Sequence, residues 1–126
     1  MRNTEQRQPG GSLRISRDVI ATVAGSAARE IEGVYSLAPY NANLTGWVIK
    51  RQAARPIAIT LNDDVAVVDI HIVLQSGYAI PVVAEKVQVA VKEAVQSMTG
   101  IAVSKVNINI AGIDFGAEQD EILQPN

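Results

Sequence analysis

Asp69 and His71 are the two side chains of this 126-residue chain best placed, by type and spacing, to move a proton. They lie two apart in Val65-Ala-Val-Val-Asp-Ile-His-Ile-Val-Leu74, a β run in which alternate side chains share a face, so the two are neighbours. A carboxylate beside an imidazole is an elementary unit of acid–base chemistry. Asn107 and Asn109 of Val106-Asn-Ile-Asn-Ile110 would line a similar face if that strand pairs nearby. The rest of a catalytic site does not accompany them. His71 is the single histidine, there is no cysteine, and no nucleophile, second carboxylate or metal-ligand spacing adjoins the pair. The pair reads as a polar patch at the surface or the core edge.

A second group is Lys50, Arg51 and Arg55 near Trp47. A basic cluster with an aromatic can bind RNA by stacking and phosphate neutralisation, or lie against anionic headgroups. Three charges worth about 1 kcal/mol each would attach a protein to a membrane only marginally. A solvated loop with Trp47 tucked on the core edge is the plainer reading. A protein contact through Trp47, Lys50 and Arg51 comes next, since Trp and Arg are favoured at interface hot spots. No Gly-x-x-x-x-Gly-Lys-Ser/Thr or Gly-x-Gly-x-x-Gly pattern occurs, so nucleotide binding has no support.

The elements that must hold these groups are readable. Ile57-Ala-Ile-Thr-Leu61 predicts a strand, and Asn62-Asp-Asp64 supplies hairpin turn chemistry before the long strand from Val65. On that strand Ala66, Val68, Ile70, Ile72 and Leu74 share one face, and Val65, Val67, Asp69, His71 and Val73 the other. Two largely apolar faces predict a central strand covered on both sides, or one whose outer face meets another molecule. Gln75-Ser-Gly-Tyr78 turns the chain. Pro81 opens a helix that closes at Thr99-Gly100, with Ile80, Ala84, Val87, Val91, Ala94, Val95 and Met98 as its core stripe. Val82 and Val89 fall outside the stripe and predict a second, smaller contact.

Upstream, Ser12-Leu-Arg-Ile-Ser16 alternates and predicts a short strand with Leu13 and Ile15 on one face. Ser16 can cap a helix running to Glu32 and stopped by Gly33. Val19, Ile20, Val23, Ala24, Ala27, Ala28 and Ile31 recur at helical spacing there, and its small residues allow close packing on a sheet. Val34-Tyr-Ser-Leu37 predicts another strand. Residues 38–56 read as a surface excursion with a helical turn or two. Residues 1–11 read as a disordered polar tail, 12–115 as a single domain, and 116–126 as an acidic flexible tail.

Composition sets the outer bounds. Hydrophobic residues make up 48% of the chain and aromatics only 4%, so the core is built from Val, Ile, Leu and Ala. A net charge of −2 gives no general pull toward nucleic acid or anionic lipid. Absence of cysteine fits a reducing compartment and excludes disulfides and thiolate metal sites. The polar start has no signal-peptide core, and no window nears the roughly 18 apolar residues of a membrane span. The expectation is a cytoplasmic protein, held at any membrane by something else.

Several of these segments together resemble the alkaline shock protein family of bacterial envelope stress-response proteins. They are Gly11-Ser-Leu-Arg-Ile-Ser16 before Asp18-Val-Ile20, Ala27-Ala-Arg-Glu-Ile-Glu-Gly-Val34, and Val65-Ala-Val-Val-Asp-Ile-His-Ile72. Ile80-Pro-Val-Val83, Val87-Gln88, Met98-Thr-Gly100 and Val106-Asn-Ile-Asn-Ile110 follow in the family's order. The set spans roughly residues 11–113. The resemblance implies a non-enzymatic protein at the inner face of the cell membrane, held by a membrane-anchored partner and able to self-associate. It carries over no catalytic residue, cofactor, metal or small-molecule substrate, and nothing transfers onto the stretch around Trp47.

The expectation for the fold is α+β: a two-layer sandwich of two helices on a mixed or antiparallel sheet of four to five strands. The expected function is that of an envelope stress-response scaffold or adaptor, with a small RNA-binding α+β module as the alternative. Candidate contact residues are Val65, Val67 and Val73 on the strand, Val82 and Val89 on the helix, and Trp47, Lys50 and Arg51.

Overall fold

Val65–Gln75 is the strand on which the rest of the domain is assembled. The computed structural model describes residues 10–38 and 56–116. In chain order these form α1 (Arg17–Arg29), β1 (Val34–Leu37), β2 (Ile57–Asn62), β3 (Val65–Gln75), α2 (Ile80–Thr99) and β4 (Ala102–Asp114). The architecture is α+β, with two helices on one face of a four-stranded mixed sheet.

The β2–β3 hairpin forms where the turn residues call for it. Asn62 pairs with Val65, and Asp63 takes the left-handed conformation at φ 59°, which a short polar side chain tolerates. The far edge of β3 is lined by β4, and these two strands run parallel. Parallel neighbours need a crossover, which α2 supplies. Pro81 sits in its first turn, where a missing N–H costs nothing, and Gly100 closes it at φ 78°.

β1 and β2 share one edge of β3 end to end. Ile57 lies opposite Ile70 and Leu37 opposite Ile72, which leaves His71 at the junction. The His71 N–H donates to the Pro56 carbonyl at 2.9 Å, and the His71 carbonyl accepts the Ala38 N–H at 2.8 Å. The chain therefore leaves this edge and rejoins it across from one residue.

The inner face of β3 is completely buried: Ala66, Val68, Ile70, Ile72 and Leu74 are each 0% exposed. Against them pack Ile20, Ala24 and Ala28 of α1 and Val83, Val87, Val91 and Val95 of α2. Recurrence at every fourth residue on α2 gives a narrow valine stripe that needs little room. α1 also lies close on the sheet. A methyl added at Gly25 would stand 3.1 Å from Ile57 Cδ1 and 3.3 Å from Leu37 Cδ1.

Three expectations need correction. Ser12–Ser16 forms no strand; Leu13 is exposed and only Ile15 packs against the core. Helix α1 ends at Arg29 rather than Glu32, with the Glu30 N–H donating to the Ala27 carbonyl at 3.3 Å, and Val19 lies exposed on its outer side. The core stripe of α2 includes Val83, whereas Ile80 and Met98 are exposed where the helix ends overhang the sheet. Among the described residues β3 is covered on one face only. The excursion expected over 38–56 lies almost wholly outside the described residues, as do both tails.

Ser16 caps α1 as expected: its hydroxyl accepts the Val19 N–H at 3.2 Å, and Asp18 occupies the first turn.

Candidate interaction surfaces

The outer face of the sheet has no covering element among the described residues. Its centre is the second side of β3: Val65 is 38% exposed, and Val67, Asp69, His71 and Val73 are half-buried. The register brings Asp69 beside Ala58 and Asn107, and His71 beside Asn109. Asn107 Nδ2 donates to Asp69 Oδ1 at 2.9 Å, so the carboxylate is tied to the neighbouring strand. Asn109 Nδ2 donates to the Ile70 carbonyl at 3.3 Å. The polar pair and the two asparagines anticipated from spacing thus form one patch, with Val65, Val67 and Val73 as an apolar stripe along it.

The ionisable members of this patch are Asp69 and His71. Burial lowers the His71 pKa below its ordinary value, and the charge of Asp69 only partly offsets that. The imidazole is therefore mostly neutral near pH 7. No group of three or more His, Asp or Glu able to hold a metal ion occurs among the described residues.

The lowered pKa has a consequence for stability. Between the folded value and the unfolded value near 6.5, the unfolded chain binds more protons than the folded one. Stability contributed by His71 is therefore complete above about pH 6.5 and declines as pH falls to the lowered value. His71→Gln should flatten that part of the profile, measured as the urea midpoint between about pH 5 and pH 8. An unchanged acid slope in His71→Gln would assign it to another group.

A second surface lies on α2, where Val82 and Val89 are 51% and 50% exposed. They stand seven residues apart on one helix face among Glu85, Lys86, Lys92 and Glu93. Val89 also borders a shallow groove between α2 and β4, whose floor includes Val106 and whose rim carries Lys92 and Lys105. A second groove runs between α1 and the shared edge, lined by Thr22, Gly25, Arg29, Leu37 and Pro56. Trp47, Lys50, Arg51 and Arg55 lie outside the described residues.

Sequence reasoning missed two features. Tyr78, at the start of the crossover, donates its hydroxyl to Glu32 Oε2 at 3.1 Å; that bond, with the Glu32 charge, raises the phenol pKa. The second is an edge of β4 that no strand pairs among the described residues. No helix among those residues is long and apolar enough to cross a membrane.

Comparison with known proteins gives a family and a fold. The model of the alkaline shock protein family, described as having a cell envelope-related function, matches residues 5–115. The Bacillus subtilis (strain 168) protein YqhY, itself uncharacterised, is 31% identical over 116 residues, covering 89% of this chain and 84% of its own length. YloU of the same organism, also uncharacterised, is 34% identical over 112 residues, covering 86% of this chain and 93% of its own. Among solved structures, a MamM-CTD variant superposes with a TM-score of 0.51 over 79% of this chain and 100% of that one, at 11% identity. That likeness is one of fold alone.

Proposed function

The chain belongs to the alkaline shock protein family, whose function is cell envelope-related, and on that premise we propose that it is a non-enzymatic scaffold. In this reading it self-associates and is held at the inner face of the cell membrane by a membrane-anchored partner under envelope stress. The observation that carries the proposal is the outer sheet face, where no element among the described residues covers Val65, Val67 and Val73 beside hydrogen-bonded polar groups. Partly apolar faces rimmed by polar groups suit protein contact. Val82 and Val89 offer a second contact, on α2. Trp47, Lys50 and Arg51 complete the proposed contact set.

The test is recovery of the tagged protein from its own cells after detergent solubilisation, with identification of what accompanies it. A small integral membrane protein in near-equal amount is expected, and it should be lost when Val67→Lys or Val89→Lys removes the contact it uses. Recovery of RNA, or of proteins released by nuclease, would replace the scaffold by a nucleic-acid module and direct attention to Lys50 and Arg51.

A further inference from the structure

β4 is 13 residues long and uses only one of its edges among the described residues. Near its start, two side chains of α2 reach the backbone at the other edge. Gln96 Oε1 accepts the Val103 N–H at 3.0 Å, and Gln88 Nε2 donates to the Val106 carbonyl at 3.0 Å. Those bonds identify Val103 and Val106 as residues whose backbone groups point outward. At the far end the Asp114 carbonyl accepts the Ser76 N–H at 2.9 Å, so Asp114 points inward. The register has irregularities at Ser104 and at Ala111, each residue standing without a partner on β3. Alternation between these fixed points makes Val106, Ile108, Ile110 and Ile113 outward-bonding, and Lys105, Asn107, Asn109, Gly112 and Asp114 inward-bonding.

This edge is its own complement. Rotating a second copy by two-fold symmetry about Asn109 sets Asn109 against Asn109, and Ile108 against Ile110. Because the extra residue Ala111 shifts the phase once, Val106 then meets Ile113 and Lys105 meets Asp114. Every pairing joins residues of the same sheet face. Lys105 and Asp114 both belong to the outer face, at opposite ends of the strand, and neither has an ion-pair partner among the described residues. A lysine usually protects an exposed edge from pairing, but here an identical strand supplies the opposite charge where it falls.

We propose that two copies of this chain pair through the edge of β4 that no strand pairs among the described residues, antiparallel about a two-fold axis at Asn109, joining two four-stranded sheets into one. The interface is isologous, as a two-fold dimer requires. It rests on the self-association reading above and assigns that association to particular residues. Asn109 forms the central non-hydrogen-bonded pair, flanked by Ile108–Ile110 pairs that exchange backbone hydrogen bonds on both sides. The outer sheet faces of the two copies become continuous, and Val65, Val67 and Val73 remain uncovered for another partner.

The full chain has no cysteine, so Asn109→Cys introduces a single thiol at an exposed position. A non-hydrogen-bonded antiparallel pair brings its two Cα atoms to about 4.5 Å, within the span of a disulfide. Under copper–phenanthroline oxidation, Asn109→Cys should convert mostly to a crosslinked dimer at concentrations where the parent chain sediments as a dimer. In Asn107→Cys the two thiols sit about four residues apart along the strands, roughly 13 Å, and crosslinking should fall at least ten-fold. Lys105→Asp and Asp114→Lys should each raise the dimer dissociation constant roughly ten-fold, and their combination should restore it. A dimeric parent whose Asn109→Cys variant does not crosslink would overturn this interface and leave self-association standing. Equal crosslinking at positions 107 and 109 would mean collision and overturn it as well. A parent chain that stays monomeric to about 100 μM, with no crosslink, would refute both the interface and self-association.

Discussion

Ile72→Ala is expected to lower the unfolding free energy by about 3 kcal/mol, and Val73→Ala, one residue along, by less than about 1 kcal/mol. Ile72 is 0% exposed at the centre of the core cluster, beneath the helices. Truncating it removes three carbons' worth of burial and leaves a cavity that Ile110 and the α2 valines cannot collapse to fill. Val73 faces outward and is half-buried only by its neighbours in the sheet. For a domain of this size the first change should lower the melting temperature by roughly 15 °C and the second by a few degrees. Urea denaturation of the two variants decides the matter. Equal losses would mean that the outer face is covered in solution, and would remove Val67 and Val73 from the proposed contact surface.

Gly33→Ala should cost about 3 kcal/mol, for two separable reasons. The residue sits at φ 102°, a conformation that side chains rarely adopt, and a methyl there would stand 2.9 Å from Val83 Cγ2 and 3.1 Å from Tyr78 Cδ1. Its carbonyl is also engaged, accepting the Gln75 N–H at 2.8 Å. Gly33 is thus the point where the end of α1, the start of β1, the end of β3 and the first turns of α2 converge. Gly77 provides the comparison: its φ is 95°, with open space around the added methyl. Gly77→Ala should therefore report the backbone strain alone, about 1–2 kcal/mol. If both variants lose the same stability, contact with Val83 and Tyr78 contributes nothing at Gly33.

What could be seen in advance divides along a physical line. The hairpin, the frame of α2 and the inner face of β3 were legible because each is written locally, in turn residues, in Pro81 and Gly100, and in period-two alternation. Ser12–Ser16 alternates just as well and makes no strand, since alternation states a period and says nothing of a neighbour to bond. The same limit hid the edge of β4 that no strand pairs among the described residues. Val106-Asn-Ile-Asn-Ile110 showed a strand, but its parallel partner and the two phase shifts at Ser104 and Ala111 belong to tertiary structure. On α2 the stripe was placed correctly in its middle and extended too far at Ile80 and Met98, because periodicity does not reveal where the sheet beneath a helix stops. Asp69, His71, Asn107 and Asn109 were legible as one patch because strand register follows once β3 and β4 pair. Trp47, Lys50 and Arg51 stand outside the described residues, so their expected contacts rest on residue type alone.

The junction at His71 makes the domain a mount. Because Ala38 and Pro56 both bond to that one residue, β1 and β2 continue the same sheet edge whatever joins them. Closing a longer connection between two points already held together costs only about 0.6 kcal/mol for each doubling of its length. Among the described residues, Val34 of β1 and Ile57 of β2 are both members of the core cluster. A change in the length of the connection between Ala38 and Pro56 is therefore expected to leave the register of β1 and β2 on β3 as it is.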